Sequence, residues 1–141
     1  MSVTVQSFLL CDSVVIDAHS GKTTIQGVFD RLFALQYPAT HPSCTLYVRL
    51  AADRKEGAPA VSMVVQRPSG AQEQPVPTQT LVVGEDGIAQ AIINVQGLPL
   101  PEAGIYTFVL VVDGSMVAEF KLAAMTMSAP NVSSVPESRL H

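Results

Sequence analysis

Residues 104–122, Gly-Ile-Tyr-Thr-Phe-Val-Leu-Val-Val-Asp-Gly-Ser-Met-Val-Ala-Glu-Phe-Lys-Leu, decide the fold class. Tyr106, Phe108 and Leu110 share one parity and Ile105, Val109 and Val111 the other, and Asp113-Gly114 interrupts the run. A period of two broken by Asp-Gly is the signature of a β-hairpin. A two-residue loop would oppose Phe108 with Glu119 and Tyr106 with Lys121, which splits the apolar face. A three-residue loop of Val112, Asp113 and Gly114, with Gly114 left-handed, pairs Leu110 with Met116, Phe108 with Ala118 and Tyr106 with Phe120. Register follows the buried face, so the second arrangement is expected. Tyr106 enters its strand just after Pro99 and Pro101. That placement predicts a tyrosine corner, in which the hydroxyl bonds back to the preceding loop.

The same alternation extends outward. In residues 44–50, Leu46, Val48 and Leu50 oppose Thr45, Tyr47 and Arg49; in 60–67, Val61, Met63 and Val65 oppose Ser62, Val64 and Gln66. Strands are predicted over 3–10, 13–17, 23–29, 31–36, 44–51, 60–67, 78–84, 88–96, 104–112 and 116–123. Turn signals separate them, at His19-Ser20-Gly21-Lys22, Pro38 to Pro42, Arg54 to Pro59, Pro68-Ser69-Gly70, Glu85-Asp86-Gly87 and Asp113-Gly114. Ten prolines and nine glycines spread this way leave no room for a long helix. The polar, Pro-bearing segment from Gly70 to Pro77 reads as a surface loop. The expected fold is all-β: a two-sheet Greek-key β-sandwich, immunoglobulin-like or related, with about 8–10 short strands. Residues 1–123 form the single domain and 124–141 a C-terminal tail.

Apolar residues make up 48% of the chain and charged residues only 14%, against roughly 25% in an average soluble domain. The outer faces of such a sandwich must therefore be Thr, Ser, Gln and Val, and part of that surface is expected to be covered by another subunit. A net charge of −4 supplies no footprint for nucleic acid or an anionic membrane. No basic leader precedes the short apolar run in residues 1–10, and no stretch approaches the roughly 20 apolar residues of a membrane helix. A cytoplasmic location follows as the expectation, with Cys11 and Cys44 as reduced, buried thiols.

The run Phe8-Leu-Leu-Cys-Asp-Ser-Val-Val-Ile-Asp17, then Gly21-Lys22 and Gly27-Val-Phe-Asp-Arg31, resembles the opening of a bacterial family of small proteins that form a domain of unknown function. Asn94-Val-Gln-Gly-Leu98 and the stretch from Gly104-Ile-Tyr106 to Asp113-Gly114 are similar to that family's closing hairpin. The likeness extends to about Leu122. It implies a β-sandwich and a bacterial source, and it carries no catalytic residues.

Asp12, Asp17 and Asp30 are the first candidates for chemistry, because Asp is a poor strand former and each interrupts an apolar run. Gathered with Asp86 or Asp113 they could offer a Ca²⁺ site, but no spacing matches a calcium loop, and Asp86 and Asp113 sit where Asp-Gly turns need them. Pairing of Asp12 and Asp30 with Arg31 or Arg49, or with loop amides, is the expected outcome. His19, His41 and His141 do not converge with other ligands in the sequence, and His41, Ser43 and Cys44 lack an orienting third group. Walker, dinucleotide, HExxH and GxSxG motifs are absent. With no Trp and only Tyr37, Tyr47 and Tyr106, a flat sugar-stacking platform is not expected. Arg49, Arg54, Lys55 and Arg67 could meet at one edge, but Asp53 and Glu56 lie among them.

These readings exclude no class outright, but they rank three. The first is a non-catalytic interaction or scaffold sandwich that forms a homo-dimer or docks on another protein. Its self-association face is Ile105, Val109, Val111 and Val117, β-branched residues on the side of the closing hairpin that a solvated face does not need. The alternative cover for that face is the tail, through Met125, Met127, Val132 and Val135. The second is a small-ligand or metal-binding sandwich that uses Asp12, Asp17 or Asp30. The third is an enzyme with a loop-built site. No cofactor, resident metal, nucleic acid or membrane partner is expected.

Overall fold

The strand pattern read from the sequence is realised in a computed structural model that describes residues 3–53 and 57–127. The strands are β1 (Val3–Cys11), β2 (Ser13–Ile16), β3 (Thr23–Gln26), β4 (Arg31–Ala34), β5 (Ala39–Ala52) and β6 (Ala60–Gln66). They continue with β7 (Gln72–Glu73), β8 (Gln79–Thr80), β9 (Ile88–Leu100), β10 (Gly104–Val112) and β11 (Ser115–Thr126). One sheet is three-stranded, β1-β5-β9; the other runs β4-β11-β10-β6-β7 with β8 also on β6; β2 and β3 form a separate hairpin. Along the chain β5, β6, β9 and β10 alternate between the sheets, so β5 pairs with β9 and β6 with β10. β4 joins the second sheet parallel to β11. This order is that of an immunoglobulin-like Greek-key sandwich.

The core lies between the two sheets. Leu46, Val48 and Leu50 of β5 meet Met63 and Val65 of β6 and Phe108 and Leu110 of β10, all buried. At the other side Phe120 stacks on Phe108 with ring centroids 4.8 Å apart, and Phe8 packs tilted against Phe120 at 4.7 Å. The expected tyrosine corner is present: Tyr106 donates from its hydroxyl to the Glu102 carbonyl at 2.6 Å and accepts from the Glu102 N–H at 3.1 Å.

The closing hairpin has neither of the two simple registers. Its loop is the two-residue Asp113-Gly114, with Val112 opposite Ser115. Both loop residues have positive φ, 49° and 85°, the conformation whose twist matches paired strands. A register shift in β11 then leaves Val117 unpaired, so that Leu110 faces Ala118, Phe108 faces Phe120 and Tyr106 faces Leu122. The apolar face is kept intact by a bulge one step beyond the turn rather than by a longer loop. Val112 and Leu122 are therefore core residues, and Met116, expected inside, is 74% exposed. The Asp113 carboxylate accepts from the Ala60 N–H at 3.0 Å while the Asp113 N–H donates to the Ala60 carbonyl at 2.9 Å, tying the turn to β6.

Three strands extend well beyond the punctuation. β5 runs through Pro42 because β1 pairs with it only from Thr45 onward, so residues 39–43 have one free side where a proline is tolerated. β9 continues through Gly97 and Pro99 for the same reason, being an edge strand. β11 runs to Thr126 with Ala124 buried, three residues into the expected tail. The expected strand 78–84 shortens to Gln79–Thr80, and the expected loop 70–77 contributes β7.

The β2–β3 hairpin folds over the outer face of the three-stranded sheet. Beneath it lie Cys11, Thr45 and Tyr47, all buried although they point away from the core. Thr45 bonds to the Asp12 carbonyl and to Asn94, and Tyr47 donates to Gln90 at 2.8 Å. Cys11 opposes Thr45, whereas Cys44 has the parity of Leu46 and belongs to the core cluster. The two thiols thus leave opposite faces of the sheet and are free. The chain itself supplies part of the cover that the composition assigned to a second subunit.

Candidate functional site

The aspartates are not gathered. Asp12 and Asp17 bracket β2, which holds them roughly 16 Å apart along the extended chain. Asp17 accepts from the His19 N–H at 2.8 Å and the Ser20 N–H at 3.3 Å, and these bonds lower its pKa. Asp30 lies 3.7 Å from Arg31 with both side chains well exposed, a pair of little energetic weight. The Asp12 carboxylate packs over Gly27, whose positive φ and lack of a side chain make room for it. Arg49, expected to pair with an aspartate, bonds instead to Gln6 and Gln90. Asp86 accepts from the Ile88 N–H within its own turn. Among the described residues no group of three His, Cys, Asp or Glu could hold a metal.

The other candidates are equally separate. His41 packs its ring against Phe29, and its Nε2 has no hydrogen-bond partner among the described residues. Burial first, then Cys11 and Asp12, push the Cys44 thiol up to about 11, the opposite of what a nucleophilic thiolate requires. Arg49 belongs to one sheet and Arg67 directly follows β6 of the other, where it pairs with Glu73 at 2.7 Å. Arg54, Lys55, Glu56, His141, Val132 and Val135 lie outside the described residues.

The residues that do come together are those of the second sheet's outer face. Ile105 is 49% exposed and Val117 36%. Val109 and Val111, both half-buried, continue the row along β10. Val109 is flanked by Val64 of β6 and Glu119 of β11, and Val111 by Ser62 and Met116. The patch grows beyond the residues named from the sequence, because Met116 joins it and Phe33 of β4 pairs with Met125 of β11 on the same side, 46% and 44% exposed. Phe33 was legible in principle, since it alternates with Leu32 in a short strand. Met116 was hidden by the bulge. Glu119 and Lys121 lie beside the row and form no ion pair among the described residues. Met127, part of the alternative cover, donates its N–H to the Ala34 carbonyl and so extends the β4 edge.

Among the described residues no helix is long and apolar enough to cross a membrane. No curated protein matches the chain. Among solved structures, it is similar to the alkylpurine DNA glycosylase AlkC of Pseudomonas fluorescens bound to DNA containing an abasic-site analogue. That match has 12% identity and a TM-score of 0.47, and covers 87% of this chain and 30% of the glycosylase chain. An immunoglobulin-like protein from Pseudomonas aeruginosa matches at 12% identity and TM-score 0.45, over 88% of this chain and 97% of its own. A β-glucosidase from Listeria innocua in complex with isofagomine matches at 10% identity and TM-score 0.49, over 88% of this chain and 16% of the enzyme. The fold assignment rests on the strand order and register rather than on these likenesses. The family model spans the sandwich from the middle of β1 to the end of β11, and the chain belongs to the family of unknown function DUF6941, matched over residues 6–125.

Proposed function

We propose that this protein is a non-catalytic interaction domain that pairs with a second copy through the outer face of the β4-β11-β10-β6 sheet. The observation that supports this most is the partly exposed apolar row of Ile105, Val109, Val111 and Val117 beside Glu119 and Lys121, which form no ion pair among the described residues. A two-fold axis near Val109 would set one copy's Glu119 against the other's Lys121, the self-complementarity that a symmetric dimer needs. A nine-residue strand is about 30 Å long and four strands are about 19 Å wide, so the face presents on the order of 600 Å² in projection. A standard interface uses roughly 800 Å² per partner. Two free thiols are compatible with a reducing compartment, and a cytoplasmic location is part of this proposal.

Sedimentation of the full chain at high micromolar concentration tests the pairing. The wild type should be dimeric, and Val109→Lys with Val111→Lys should give a folded monomer. Glu119→Lys should weaken the dimer and Glu119→Lys with Lys121→Glu should restore it. A monomeric wild type would overturn the proposal.

A further inference from the structure

We propose that the cleft between the β2–β3 hairpin and the outer face of the three-stranded sheet binds a small phosphate-type oxyanion through Arg49 and Lys22. This site is on the other sheet from the pairing face and is independent of it. The cleft has a volume of about 540 Å³ and is lined by Ser7, Ser20, Lys22, Thr23, Ile25 and Arg49, with Gly21 at the hairpin tip and Tyr47 at its floor. That volume falls within the range of small-molecule sites, roughly 300–1,000 Å³.

Arg49 is held in a way that leaves its charge unspent. Its Nε donates to Gln6 Oε1 at 2.8 Å and its Nη1 to Gln90 Oε1 at 3.5 Å. Gln90 Oε1 also accepts from the buried Tyr47 hydroxyl, which fixes it. Gln6 is the residue skipped where the β1–β5 register shifts, and a bulge of this kind re-aims a side chain. Both anchors are neutral amides, so they orient the guanidinium without neutralising it. Of its five N–H groups, about three remain for a ligand. No carboxylate forms an ion pair with Arg49 or Lys22 among the described residues. Asp17, the nearest acid in the hairpin sequence, turns its Oδ1 to the His19 and Ser20 amides and forms no ion pair with Lys22 or Arg49 among the described residues.

The anchored Arg49, the exposed Lys22 beside it and the hydroxyls of Ser7, Ser20 and Thr23 match a tetrahedral oxyanion, and Arg supplies the forked geometry that such groups prefer. Ile25 gives an apolar wall for a small organic moiety. The ligand class is therefore a phosphate monoester of a small molecule, with free phosphate as the minimal form.

Isothermal titration of the full chain with inorganic phosphate and with glycerol phosphate, at constant ionic strength, tests the assignment. Saturable binding by either probe is expected, at least tenfold weaker in Arg49→Gln and severalfold weaker in Lys22→Gln, with no change in Arg31→Gln. Tighter binding of the monoester would identify the Ile25 wall as part of the site; equal binding would confine the site to the oxyanion. Lys22 is exposed in a turn, so its replacement leaves folding intact and keeps the test decisive if Arg49→Gln misfolds; Arg49→Lys, which keeps the charge but not the fork, should fall between the two. Absence of saturable binding by both probes, or affinity unchanged in Lys22→Gln and in whichever Arg49 variant folds, would overturn the proposal.

Discussion

Removing one oxygen from Tyr106 isolates the contribution of the tyrosine corner. The ring is 1% exposed and packed in the core, so Tyr106→Phe leaves the packing in place and deletes only the hydroxyl. That hydroxyl makes two bonds to Glu102, one donated at 2.6 Å and one accepted at 3.1 Å. A net contribution of about 0.5–1.5 kcal/mol per bond gives a loss of about 2 kcal/mol. The unfolding entropy of a domain of about 120 residues is on the order of 0.25 kcal/mol/K, so the melting temperature should fall by about 8 °C. Urea denaturation followed by circular dichroism should show a lower midpoint with an unchanged slope, since the same surface is exposed on unfolding. A loss below about 0.5 kcal/mol would mean that water replaces both bonds and that the corner does not brace the β9–β10 crossover.

Three further outcomes follow from the hairpin and the buried thiols. Gly114→Ala forces a side chain into φ +85° and should cost about 1 kcal/mol, read from the same urea midpoint. Leu122→Ala should cost about 2–5 kcal/mol, whereas Met116→Ala should be within about 0.5 kcal/mol of wild type; the reverse ranking would refute the bulged register. Cys44 has a folded pKa raised from 9.0 to about 11, so its burial stabilises the fold fully below pH 9 and progressively less as pH rises towards 11. The stability of Cys44→Ala should therefore decline less steeply over that interval, as measured by denaturation at each pH.

The architecture was readable because each inner face is alternating and each turn is punctuated: Leu46, Val48 and Leu50 point where their parity requires. The hairpin register was not, because a bulge has no residue signature when both neighbours are apolar. Met116 and Val117 are equally plausible extra residues until Met116 is seen opposite Val111 and exposed. Pro42 misled for a related reason, since whether a proline ends a strand depends on which side is paired. The outward apolar row of Ile105, Val109 and Val111 was visible as surplus β-branched residues on one parity. The cleft was not, because it joins Gln6, Lys22, Arg49 and Gln90 from four separate segments, and only the fold of the β2–β3 hairpin brings them to one side of the sheet.

Because Cys11 and Cys44 leave opposite faces of one sheet, the chain carries two clocks that run on different openings. Cys11 sits beneath the β2–β3 hairpin, so lifting that hairpin alone exposes it to a thiol reagent. Cys44 sits between the sheets and is reached only when they part. The exchange rate of each thiol reports the free energy of its own opening, and local openings are less costly than global ones. A ligand that clamps the hairpin onto the sheet would slow the first clock and leave the second nearly unchanged, whereas a core substitution would speed both.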